Sequence, residues 1–153
     1  MTSPDDPADV LVVRRVLPVA RERVFAAWLD PVSLARWMRP PDVTSAVVEV
    51  DPRVGGRFRI VMRHGKGDVE HWGEYLAIEP PSLLSFTWTS AATDLRPMVV
   101  TVELFARGAG TELVLTHRRL PLGRVDAHRE GWTGIIRTLE ATLASGRTPG
   151  RQE

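Results

Sequence analysis

From Asp9 to Leu17 apolar and polar positions alternate loosely and valine is frequent, the pattern of a β-strand, and Pro18 stops it. At Arg21 the period changes. Val24, Phe25, Trp28 and Leu29 fall at helical spacing, and Asp30-Pro31 breaks that run before Val32, Leu34, Trp37 and Met38 open a second, shorter helix ended by Arg39-Pro40-Pro41. Val43 to Val50 then reads as a second strand. Gly55-Gly56 offers a bend, and Arg57 to Arg63 alternates strictly, with Phe58, Ile60 and Met62 on one face and arginines on the other. His64 to Gly67 forms a turn, and Val69 to Ile78 is a fourth strand closed by Pro80-Pro81.

Leu83 to Thr89 places Leu84, Phe86 and Trp88 on one face, against Ser85 and Thr87. Met98 to Phe105 groups Val100, Val102 and Leu104. The chain turns at Gly108-Ala109-Gly110, and Glu112 to His117 returns with Leu113, Leu115 and His117 on the inward parity. Six strands in succession predict an antiparallel meander. The longest helical pattern follows, from about Val125 to Leu143, with Trp132, Ile135, Ile136, Leu139 and Leu143 as its apolar stripe. At 1.5 Å per residue such a helix spans roughly 28 Å, enough to cross one face of a sheet, and that face is the partner available to its stripe.

Composition narrows the classes. At 153 residues the chain suits one domain, and 43% hydrophobic with 25% charged residues is the balance of a globular protein. The predicted division is a loose N-terminus over 1–8, one domain over 9–144 and a loose tail over 145–153. The formal charge of +1, with Lys66 the only lysine and arginines scattered along the chain, supplies no field to attract nucleic acid or an anionic membrane. Without cysteine there is neither a thiolate nucleophile nor a disulfide, and no two histidines stand at metal-ligand spacing, so no metal or other cofactor is expected. The acidic, Pro-rich N-terminus is unlike a signal peptide, and no apolar run approaches the ~20 residues of a membrane span, which makes the cytoplasm the expected compartment.

The order strand, two short helices, six strands and a long helix resembles the START-like helix-grip superfamily. RVFAAWLDPVSLARWMRP, DPRVGGRFRIVM, GEYLAIEPPSLLSFTW, GAGTELVLTH and the GW of the last stripe are similar to the activator of heat shock protein 90 ATPase homologue family, across residues 10 to 144. The resemblance implies an α+β fold: a curved antiparallel sheet of about seven strands, two short helices after the first, and a long C-terminal helix across the concave face. It also implies a place for a small ligand between helix and sheet, although the superfamily hosts carriers, enzymes and co-chaperones alike. The eukaryotic co-chaperone carries a further N-terminal domain for which these residues leave no room, an argument against a chaperone partner.

A helix lying over a curved sheet encloses apolar space that side chains need not fill. Its expected lining comes from Trp37 of the second helix, from Phe58, Ile60, Met62 and Trp72 of the third and fourth strands, and from Phe86 and Trp88 of the fifth. Met98, Val100 and His117 of the last two strands and Trp132 and Ile136 of the long helix complete it. The bland alternative is that any one of these is ordinary core, as Trp28 is taken to be. Strict alternation from Tyr75 would put His71 and Gly73 inward instead of Trp72 unless a bulge intervenes. His64 and His128 are expected in solvent, and Gly55-Gly56 is expected to be purely structural.

Three functions follow. The first is a non-catalytic carrier of a small apolar or aromatic compound, serving stress or toxin response, and the second is a cyclase- or hydrolase-type enzyme using His117 or His71 as acid or base. The third is a co-chaperone-like interaction module. Exposed strand edges would in addition permit a homodimer.

Overall fold

The computed structural model describes residues 10–39, 43, 45–65, 67–90, 97–120 and 123–144. The termini expected to be loose, 1–8 and 145–153, lie outside them. The elements run β1 (Val10–Leu17), α1 (Arg21–Ala27), α2 (Pro31–Trp37), β2 (Ser45–Val50), β3 (Arg57–His64), β4 (Gly67–Glu79), β5 (Leu83–Ser90), β6 (Met98–Arg107), β7 (Gly110–Arg118) and α3 (Val125–Ala144). The strands form one seven-stranded sheet ordered β1-β7-β6-β5-β4-β3-β2, and every neighbouring pair is antiparallel. Strands β2 to β7 are the predicted meander. The first strand returns to pair with the last, so α1 and α2 bridge the two edges of the sheet.

Local chemistry sets the breaks. Pro31 starts α2 because its missing N–H costs nothing at a first helical position, and the Asp30 carboxylate accepts from the Ser33 amide at 3.0 Å. Gly55, at φ 84°, takes a left-handed turn between β2 and β3. Gly56 is needed for a different reason: a β-carbon there would lie 2.1 Å from the Asp51 carbonyl oxygen.

One face of the sheet is apolar. Phe58, Ile60 and Met62 share it with Leu84, Phe86 and Trp88, and with Val100, Val102, Leu113 and Leu115 beyond. Helix α3 lies against this face through Trp132, Ile135, Ile136, Leu139 and Leu143, the stripe expected from its period. Its polar side is tied to the β1 edge, where Arg15 Nε donates to Glu140 at 2.5 Å and Arg129 to the Val12 carbonyl at 3.3 Å.

Candidate functional site

The space between α3 and the sheet has two unlike ends. At one end α1 and α2 descend as a plug. Trp28 meets Trp37 edge-on at 4.6 Å, and its ring also lies 6.3 Å from Phe86 and 6.4 Å from Trp132. Phe58 packs on Tyr75 and Phe86, both at 5.4 Å. What remains among these rings is about 10 Å³, less than a water molecule fills comfortably. Burial, aided by Asp51, pushes the Tyr75 phenol up to about 12, so it stays protonated at any ordinary pH.

The other end is hollow. A cavity of about 190 Å³, partly open to solvent, lies under the first three turns of α3. Its apolar wall is Met62, Trp88, Trp132 and Ile135; its polar groups are His71, Ser90, Arg124 and His128; Ala127 and Gly131 supply the helix backbone side. The two indoles stand 5.4 Å apart, inclined at 50°, and His71 stacks on the far partner of that pair, Trp88, at 4.7 Å and 30°.

His117 sits behind this wall with no exposure to solvent. The indole Nε1 of Trp132 can only donate, and it does so to His117 Nδ1 at 2.8 Å, so the ring proton resides on Nε2, which faces the Met98 sulfur at 3.1 Å. Burial pushes the imidazole down to about 3, with the neighbouring His128 acting in the same direction. His117 is therefore a neutral strut that fixes the plane of Trp132. With both nitrogens engaged, it has none to spare for acid–base chemistry.

Of the twelve side chains expected to line a cavity, Met62, Trp88 and Trp132 do so. Phe58, Ile60 and Phe86 surround the filled end. Trp37, Met98, Val100, His117 and Ile136 are wholly buried and line neither space; Trp37 donates instead to the Ala27 carbonyl at 3.2 Å. Trp72 is the correction. It is 37% exposed on the opposite face, where its cross-strand neighbour is Arg59, because the register from His71 to Tyr75 is unbroken and the bulge falls later, between Tyr75 and Ala77. His71 and Gly73 occupy the inward positions.

His128, expected in solvent, is half-buried in the cavity wall, and Arg124, Ser90 and Ile135 were not among the expected lining. Helical spacing from Trp132 would have located His128 and Ile135, at i−4 and i+3, and strand parity from Trp88 would have found Ser90. Arg124 precedes the helix and obeys neither period. Among the described residues no group of three or more His, Asp or Glu side chains could hold a metal ion, and no helix is long and apolar enough to cross a membrane.

A curved antiparallel sheet gripping a C-terminal helix, with two short helices inserted after the first strand, defines the START-like helix-grip class. Within it, a family model described as activator of Hsp90 ATPase homolog 1-like protein matches residues 18–144, and the chain belongs to that family. A protein from Nitrosomonas europaea is similar in structure, with a TM-score of 0.79 at 27% identity over 92% of this chain and 97% of that one. The AHSA1 protein of Silicibacter pomeroyi gives 0.73 at 28% identity over 90% and 99%. A Plasmodium falciparum protein described as an HSP90 activator shares the fold, at a TM-score of 0.72, 24% identity and coverage of 89% and 96%. No functionally curated protein matches the sequence.

Proposed function

We propose that the chain is a carrier that holds a small aromatic molecule in the cavity between β3–β5 and the start of α3. One observation carries the reading: a void of about 190 Å³ is walled by two tryptophans, Met62 and Ile135, whereas about 10 Å³ remains among the rings at the α1–α2 end. An apolar cavity of about 150 Å³ is known to accept benzene, so this one takes a single ring with a small substituent and leaves a larger guest protruding through the mouth. Such a protein would sequester a metabolite or a toxic compound of that size.

The test is a titration of the indole fluorescence and a thermal shift with single-ring and fused-ring compounds. Binding should quench fluorescence and raise the melting temperature, and Gly131→Phe, which places a ring in the void, should abolish both responses. Absence of any response across a broad panel would end the carrier reading.

An enzymatic reading rests on His71, one of two histidines on the cavity wall and the one stacked on Trp88. It would gain ground if His71→Ala removed turnover of a bound compound without weakening its binding.

A further inference from the structure

The carrier reading leaves open what distinguishes one aromatic guest from another, and the answer lies in the charge around the cavity. Two indoles by themselves present negative ring faces, which favour a cation such as a quaternary ammonium group over an anion. The ionisable groups of the lining decide between the two. They are His71, Arg124 and His128, all basic, and among the described residues no carboxylate lines the cavity. Asp126 and Glu130 lie on the same helix, but both are exposed and neither contributes to the wall.

The state of Arg124 strengthens the asymmetry. Several surface arginines are neutralised: Arg15 by Glu140, Arg53 by Asp51, and Arg59 by Glu49 and Glu70. The Arg124 guanidinium has no hydrogen-bond or ion-pair partner among the described residues. Only its backbone carbonyl is used, accepting from the amide of His128 at 3.1 Å and from the His128 ring Nδ1 at 2.9 Å. That second bond fixes the His128 ring so that Nε2 is the nitrogen left for a ligand or for water. A guanidinium stays charged at every working pH, and its planar fork matches a carboxylate. With a formal net charge of +1 over the whole chain, no global field competes with this local one.

We infer that the cavity selects single-ring aromatic carboxylates, taking the ring against Trp88 and Trp132 and the carboxylate at the Arg124 and His128 side of the mouth. The inference rests on the carrier reading and adds charge selection to it. A neutral aromatic of the same shape loses the charge-assisted contact, and an aromatic amine meets like charge.

The experiment compares benzoate, phenylacetate, benzamide and benzylamine by isothermal titration of the full chain. The indole N–H resonances of Trp88 and Trp132 are followed in parallel to locate binding. The two acids should bind about tenfold tighter than benzamide, the size of one charge-assisted hydrogen bond in a partly open site, with benzylamine weakest. Raising the salt concentration should weaken the acids and not the amide. Arg124→Gln, at an exposed position where folding is undisturbed, should remove the preference for acid over amide. If all four compounds shift the indole resonances with equal affinity, or if Arg124→Gln leaves the preference intact, charge selection is overturned and the carrier reading stands. If none of the four binds, charge selection is overturned, and if the broad panel of single-ring and fused-ring compounds gives no response either, the carrier reading falls with it.

Discussion

The two ends of the grip are built from one face of one sheet and a single helix, yet one is filled to within about 10 Å³ and the other holds about 190 Å³. The difference does not lie in the apolar walls, since both ends present tryptophan and methionine to the interior. It is the α1–α2 insertion. Trp28, Leu34 and Met38 reach under α3 at the filled end, and no described segment does so at the other. In this fold a plug thus determines where the void lies, and the sheet contributes walls to both ends.

The largest effect is expected at the plug. Trp37→Ala should cost about 3–5 kcal/mol, since it removes a fully buried indole and leaves the Ala27 carbonyl without its donor. Chemical denaturation measures this, and a loss below about 1 kcal/mol would mean that the filled end is softer than its packing implies. Gly73 offers the second point of attack. Its place opposite Phe58 lets that ring cross the backbone, and a β-carbon would sit 1.9 Å from the Thr87 carbonyl oxygen and 2.6 Å from the ring. Gly73→Ala should therefore destabilise by about 2–3 kcal/mol, the upper range of overpacking, with the shift again read from the denaturation midpoint.

The hollow end is more sensitive to acid. His117 in the unfolded chain binds a proton near pH 6.5 and in the folded chain only near pH 3, so between those values the unfolded state carries the extra proton. Stability is complete above about pH 6.5 and declines as pH falls toward 3; by pH 5 the loss from this group is roughly 2 kcal/mol. Denaturation of the parent and of His117→Gln at pH 7.5 and pH 5 isolates it, because the variant should lack that part of the decline. Parallel curves for the two proteins would show that another group governs the acid limb.

The smallest effect should be a gain. Gly131 faces the cavity from α3, and a β-carbon there meets nothing within 4 Å. Gly131→Ala should add about 0.5–1 kcal/mol of stability through helix propensity alone, the opposite sign from Gly73→Ala. A destabilised Gly131→Ala variant would show that the void is narrower than described. The pair of glycines thus measures filled against empty with one methyl group each.

Much of this architecture was legible along the chain. Alternation at Phe58, Ile60 and Met62, and again at Leu84, Phe86 and Trp88, marked the inner face, and the 3.6-residue stripe from Trp132 to Leu143 marked the gripping helix. The face of β4 was harder. Trp72 attracts attention as an aromatic, but parity from Tyr75 governs the backbone, and the ring stands outside while His71 turns in. For that strand the periodic rule was the better guide than side-chain character. The polar half of the cavity was the least visible, because Arg124 lies before the helix begins and follows neither the strand nor the helix period.

The sequence by itself determined the inner faces of most strands, the apolar stripe of the long helix and the approximate bounds of each element, since these depend on periodicities and breaks within a few residues. Only the tertiary structure decided which inward residues touch and which surround a void. An empty volume is the difference between surfaces contributed by α1, α2, β3–β5 and α3, segments up to a hundred residues apart, and no local pattern records it.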